Sequence, residues 1–285
     1  MLYPNEQRAR EVGVSLSDRH LVETFVKVDP QFNSVKSILG KMGFHEGALY
    51  VVGVSLVSYM LSLRGEVHWS LAAELSSKPY HQSLKRFVQE SPSLARLREQ
   101  RLRRLEIYLS RVAPILRREL DEDVVDLTKV LKVLESQLST SPGSKTVAFA
   151  TKMLMYALIA EGKKFSGGEG VPIPVDYRVS LVTLTSGMLE GWVCGDDIRK
   201  LAHDVRARWR STVVKLWEAA SRAAGTPPIL LDSVAWVCGL CIDENVEKPS
   251  GIGECITSSF RLDPPLVGKL EVLWSNLIRC SHASP

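Results

Sequence analysis

Apolar positions recur at helical spacing along almost the whole chain, and few stretches alternate as a half-buried strand would. Ser17-Asp18 can cap a helix that runs through Leu21, Val22 and Phe25 and is closed by Asp29-Pro30. Gln31 opens the next helix, with Phe32, Val35, Ile38 and Leu39 on one face and Gly43 at its end. The most apolar run, Ala48 to Leu63, is interrupted by Gly53, Ser55, Ser58 and Ser62, so it reads as a core helix rather than a membrane span. Arg64-Gly65 ends it, and a short amphipathic helix from Glu66 then carries Val67, Trp69, Leu71, Ala72 and Leu75.

Helices continue from Tyr80 to Gln89 and, past Ser91-Pro92, through an arginine-rich segment to Val112, which Pro114 interrupts. Val124 to Leu138 reads as one helix. Pro142-Gly143 then marks a turn, and Val147, Phe149, Ala150, Met153, Leu154, Ala157 and Leu158 form a mostly apolar helix after Lys145. Gly162 to Gly170 reads as a flexible loop. Asp176 begins another apolar-periodic segment with Val179, Leu181, Val182, Leu184 and Met188. A helix over 196–224 stops at Gly225, Asp232 starts the next with Trp236 one turn along, and a last helix spans Pro265 to Ile278. The pattern predicts an all-α protein without internal repeats.

Two polar side chains stand out. Lys145 lies in a first helical turn, where unpaired N–H groups and the positive end of the macrodipole disfavour an ammonium. A neutral amine is the form that attacks carbon and makes imines. Asp176 follows Pro172 and Pro174, which hold the chain extended, and its carboxylate could deprotonate an amine or stabilise a developing cation. The plainer readings are a solvated lysine near a turn and an aspartate that only caps its helix.

With 285 residues, 45% hydrophobic and 24% charged, the chain is long enough for a well-buried core. No run of eighteen apolar residues occurs, and the first residues lack the apolar stretch of a signal peptide. An intracellular protein, without membrane association, is expected. The net charge of +4 permits nucleic acid as a partner without requiring it. The basic residues cluster: Arg96, Arg98, Arg101, Arg103, Arg104 and Arg111 in one segment, and Arg199, Lys200, Arg206, Arg208, Arg210 and Lys215 in another. Either cluster can be a solvated face or a phosphate-binding one. Cys238-Gly-Leu-Cys241 has metal-ligand spacing but no second such pair and no nearby histidine pair, so no metal is expected. A disulfide such as Cys255–Cys280 stays open.

The run Pro-Gly-Ser-Lys145-Thr-Val-Ala, followed by Ile-Pro-Val-Asp176-Tyr-Arg-Val, resembles the nucleophile and aspartate motifs of the helix-hairpin-helix DNA glycosylases. It is most similar to the archaeal GO glycosylases, 8-oxoguanine DNA glycosylases with AP lyase activity. Further matches are Asp-Pro-Gln31, His68-Trp69, Lys145-Thr-x-x-Phe149-x-x-Lys152 and Pro-Pro-x-x-x-Leu-Asp232-x-x-x-Trp236. Ser144 departs from the pattern, standing where the wider superfamily's phosphate-binding hairpin has a second glycine.

The resemblance implies two helical subdomains with an active-site cleft between them, one over 45–162 and the other formed by 1–44 and 163–285. It also implies that Lys145 and Asp176 are catalytic, that Phe149 and Trp236 sandwich an extruded base, and that Gln31, Trp69 and Asp232 contact its polar edge, with Lys152 nearby. Read without the resemblance, Trp69 and Phe149 fit an ordinary core and Asp232 an N-cap. The implied partner is double- or single-stranded DNA containing oxidised guanine, acted on by a monomer that needs no cofactor. Affinity is expected to fall by roughly 0.9 log units per log unit of salt for each phosphate neutralised. Glycosylases for oxidised pyrimidine or uracil, and a helical DNA-binding module without chemistry, are the competing readings.

Overall fold

The computed structural model describes Met1 to Ala283, with side chains to Ser281, and is all-α as the apolar pattern requires. Two compact units form. One combines Met1–Val26 with the chain from Pro172 onward, and the other is Lys27–Val171, a span that contains the expected 45–162.

The first unit opens with β1 (Tyr3–Pro4), α1 (Glu6–Ser15) and most of α2 (Arg19–Val28). Asn5 caps α1 by accepting the Arg8 N–H, and Asp18 accepts those of His20 and Leu21 at the start of α2.

The Lys27–Val171 unit begins with α3 (Pro30–Met42), which has Pro30 at its first position and Asp29 as its cap. Its core helix, α4 (Phe44–Val57), is buried at every residue from Gly47 to Val57, as an apolar run without a polar stripe should be. The helix stops at Val57 rather than Leu63. The Ser58 hydroxyl donates to Val54 O, and the Arg101 guanidinium donates to the carbonyls of Val57, at 3.0 Å, and of Tyr59. Arg101 therefore closes the C-terminal end of α4 with donors from another helix, something a linear pattern does not contain. It also donates to Leu94 O and is fully buried, which removes it from the candidate phosphate-binding arginines.

After α5 (Gly65–Leu75) and α6 (Tyr80–Glu90) come α7 (Arg98–Ile107) and α8 (Ala113–Asp121). Pro114 does not break this rod, because a π-helical turn over Tyr108–Val112 shifts the hydrogen bonding so that the Ala113 N–H reaches Tyr108 O. The buried Tyr50 and Tyr108 hydroxyls donate to Ala72 O and Leu49 O, so neither phenol is left unsatisfied in the core. The helix expected from Val124 starts three residues later. Val124–Asp126 is β2, α9 runs from Leu127 to Gln137 under an Asp126 cap, and α10 follows at Lys145–Glu161. The segment read as a flexible loop contains β3 (Lys164–Ser166), parallel to β2 with Val125 opposite Phe165.

In the rest of the first unit, α11 (Tyr177–Thr185) is followed by β4 (Leu189–Glu190), which pairs antiparallel with β1. The helix expected over 196–224 is broken at Trp209, where φ is −113° and ψ is 14°, into α12 (Ile198–Arg208) and α13 (Arg210–Ala224). α1 lies so close on α13 that a Cβ on Gly13 would run into the Ala220 carbonyl. α14 spans Pro228–Glu244. Asp232 thus lies in its second turn and is not its cap, because Pro228 already supplies a helical φ at the first position. α15 (Ile252–Phe260) follows, and the single last helix expected from Pro265 to Ile278 resolves into α16 (Pro264–Gly268), a short turn at Glu271–Leu273 and α17 (Ser275–Ala283).

Of the pairings the sequence left open, the structure forms Cys241–Cys255 and Cys194–Cys280 and not Cys255–Cys280. Cys241 is therefore spent in a disulfide, and Cys238 is a buried free thiol whose pKa burial pushes up. No group of three or more His, Cys, Asp or Glu side chains able to hold a metal occurs among the described residues.

Candidate active site

In the Lys27–Val171 unit, the candidate residues line one face of α10. Lys145, Phe149 and Lys152 follow at helical spacings of four and three. Lys145 is half-buried in the first turn, and its Nζ makes no hydrogen bond or ion pair among the described residues. The turn before it is closed internally. Gly143, at φ 65°, donates its N–H to the Glu135 carboxylate at 2.5 Å, and Ser144 donates its own to Ser141 O. The hairpin N–H that a phosphate would take is thus already held by a carboxylate.

One turn on, the Phe149 ring meets Trp69 of α5 edge to face at 6.2 Å. Trp69 is 1% exposed whereas Phe149 is half-buried, so Trp69 is packed behind Phe149. Deeper still, Lys152 is wholly buried. Its ammonium lies 3.2 Å from Gln31 Oε1, 3.5 Å from Asp29 Oδ2 and 4.8 Å from the Tyr156 ring. The Tyr156 hydroxyl donates to the same Asp29 oxygen at 2.7 Å. Asp29 and Tyr156 carry no site role in the motif reading. Tyr156 follows Lys152 by four residues, and that spacing is the signal that could have found it.

His68, beside Trp69, is also wholly buried, between two serines. Ser58 spends its hydroxyl proton on Val54 O, so its oxygen accepts from His68 Nε2–H at 2.7 Å. His68 Nδ1 then accepts from the Ser93 hydroxyl, which in turn accepts from Ser91. Burial, reinforced by the charge of Arg101, lowers the histidine pKa to about 3 and keeps the ring neutral.

In the other unit, Asp176 caps α11. Its Oδ1 accepts the Val179 N–H at 2.9 Å, while no donor among the described residues meets Oδ2. Asp232 and Trp236, 2% and 6% exposed, lie four residues apart on α14, which packs on α11. The Arg178 guanidinium stacks on the Trp236 ring at 4.1 Å from its centre. The approach depends on Gly239, where a Cβ would come within 2.8 Å of Arg178 Cβ. Arg178 was visible in the sequence only as a letter in the aspartate motif. In the second basic cluster, Arg199 is held by Asp243 at 3.2 Å and Glu247 at 3.0 Å.

Residues 14–271 match the family model AGOG, N-glycosylase/DNA lyase. An N-glycosylase/DNA lyase of Aeropyrum pernix is 29% identical over 245 residues, which cover 82% of each chain. One of Methanopyrus kandleri is 27% identical over 265 residues, 91% of this chain and 96% of that one. The crystal structure of 8-oxoguanosine-complexed Pa-AGOG, the 8-oxoguanine DNA glycosylase of Pyrobaculum aerophilum, superposes with a TM-score of 0.70 at 24% identity. That superposition covers 90% of this chain and 95% of the other. With all but its first thirteen and last fourteen residues inside the matched region, this chain belongs to the AGOG family of N-glycosylase/DNA lyases.

Proposed function

We propose that the chain excises 8-oxoguanine from DNA and then nicks the strand, with Lys145 as nucleophile and Asp176 as its acid–base partner. Two observations, one in each unit, support this reading: an amine at the head of α10 that makes no hydrogen bond or ion pair among the described residues, and a capping carboxylate on α11 with one oxygen that meets no donor among them. The choice of lesion is supported by the description of the Pyrobaculum aerophilum protein.

A stacked nucleotide hides its sugar carbon, so the damaged base is turned out of the helix first. Asp176 Oδ2 accepts a proton from the Lys145 ammonium, and the freed lone pair bonds to C1′ as the C1′–N9 bond breaks. The base leaves with the N9 electron pair and is protonated from the site. Loss of one of the two remaining amine protons, followed by opening of the C1′–O4′ bond as O4′ takes up a proton, gives the protonated imine. Removal of a C2′ proton then expels the 3′ phosphate by β-elimination, and water releases Lys145 from the product. The Asp176 charge stabilises the cation that develops on the sugar. Phe149 and Trp236 stack on the everted base while Gln31, Trp69, Lys152 and Asp232 line its edge. The enzyme works as a monomer on double- or single-stranded DNA, inside the cell where that DNA lies.

Borohydride reduction of mixtures with duplexes carrying 8-oxoguanine, an oxidised pyrimidine or uracil tests the proposal. A covalent adduct with the 8-oxoguanine duplex, absent in Lys145→Ala, is expected. No adduct with the wild type would end the imine mechanism, and an adduct only with another lesion would change the substrate.

A further inference from the structure

An ammonium with no exposed surface needs charge and hydrogen-bond compensation, or it stays neutral. Around Lys152 that compensation is unusually complete. Asp29 supplies the opposite charge, Gln31 an amide oxygen and Tyr156 a ring face. The Asp29 carboxylate is itself held in place, since Oδ1 accepts the backbone N–H of Gln31 at 2.8 Å and Oδ2 the hydroxyl of Tyr156 at 2.7 Å. Tyr156 is in turn set edge to face on Phe32 at 5.4 Å. Asp29, Lys152 and Tyr156 are all wholly buried, and Gln31 is 3% exposed.

The arrangement has a directional consequence for one group. An ammonium has three donors and no acceptor, so only the amide oxygen of Gln31 can face it. Turning the amide over would set its NH2 against the Lys152 charge. The Gln31 Nε2 therefore points away from Lys152, and no acceptor among the described residues is set against it. One lone pair of Oε1 also remains.

We propose that Tyr156, Asp29 and Lys152 form a positioning chain that locks the Gln31 amide in one orientation, and that this lock sets the preference for oxidised over normal guanine. The proposal rests on the reading of Gln31 as a residue that meets the base edge. A locked amide offers one donor beside one acceptor. Normal guanine presents two acceptors, N7 and O6, on that edge, and one of them meets the amide oxygen unfavourably. Oxidation at C8 places a hydrogen on N7, so the same edge becomes donor beside acceptor and matches. In this scheme Lys152 is a positioning residue and takes no part in the attack on C1′.

The test measures binding without turnover. In a Lys145→Ala background, affinities for otherwise identical duplexes carrying 8-oxoguanine or guanine are compared with and without Tyr156→Phe, which removes one hydroxyl and keeps the ring. The preference for the oxidised duplex is expected to fall about tenfold, with the affinity for the guanine duplex unchanged. Phe32→Leu is the structural control, because it loosens the same cluster but spares every hydrogen bond, and it should lower Tm while keeping the preference. An unchanged preference in Tyr156→Phe, or an equal loss in Phe32→Leu, would overturn the positioning chain. Wild-type trapping tells the two levels apart. No wild-type adduct brings down the functional reading and this inference together, whereas an adduct with an unaltered Tyr156→Phe preference brings down this inference alone.

Discussion

The unit from Lys27 to Val171 has no cysteine and buries Asp29, Arg101 and Lys152 completely, along with His68. The unit built from the two chain ends holds all five cysteines, four of them in disulfides, and apart from Asp232 its buried polar side chains among the described residues are serines and threonines. Both units are helical and apolar inside, yet each is held in a different way. In the first, charged groups inside the core are satisfied by one another and by helix ends, which fixes side-chain directions at a high cost if one partner is lost. In the second, covalent links restrict the unfolded chain and leave side-chain directions to packing. The contrast suits their proposed tasks, since the amide that would read a base belongs to the first kind of core.

Among substitutions that keep the Lys145 nucleophile, Asp176→Asn should have the largest effect on activity. Asn still accepts the Val179 N–H and keeps α11 capped, so folding is spared while proton transfer is lost. Single-turnover imine formation should drop by about 10²- to 10⁴-fold with little change in Tm. A rate near that of the wild type would leave Asp176 as a cap and nothing more.

Arg101→Met should be the costliest change in stability. It strips donors from the carbonyls of Val57, Tyr59 and Leu94, and at about 1–3 kcal/mol for each unsatisfied buried group the midpoint in urea should fall steeply. Reductant should not add to the loss within that unit, and hydrogen exchange would show it confined to Lys27–Val171.

Reducing the disulfides should do the converse. The links join residues 86 and 14 apart, and each is worth about 2–4 kcal/mol by restricting the unfolded chain. Amides of α14, α15 and α17 should lose protection under reductant while those of α4 and α10 keep theirs. Equal losses in both units would erase the distinction.

Acid should act chiefly through His68. Its pKa is about 3 in the fold and near 6.5 when unfolded, so between these values the unfolded state binds the extra proton. Stability is therefore intact above pH 6.5 and declines, as pH falls through this window, by up to about 1.4 kcal/mol per pH unit. His68→Gln, although destabilised throughout, should show a flatter pH dependence of Tm.

The smallest effect is expected from Arg178→Met, which removes a cation–π stack worth about 1 kcal/mol from one face of Trp236. Substrate affinity should weaken by roughly fivefold without change in the chemical step.

Much of this could be read in the order of residues, and what could not has a common cause. The apolar spacing located α2, α3, α5, α6 and α10 to within a few residues, because those helices bury a face whose period is written locally. Their neighbours set the misplaced ends. Arg101 stops α4, and β2 claims the first residues assigned to α9 by pairing with β3 some forty positions away. The π-helical turn carries Pro114 through a rod that proline alone would have broken.

At the candidate site, the chain alone singled out Lys145 at a helix start and Asp176 before one, since first-turn position and capping are properties of neighbouring residues. It also marked the spacing of Phe149 and Lys152 on one face of α10. Only the tertiary structure decided that Lys152 is enclosed by Asp29, Gln31 and Tyr156, that Arg178 lies on Trp236, and that Cys241 is joined to Cys255. Those contacts join residues far apart in the chain, and their direction and burial arise when helices pack, which no local period encodes.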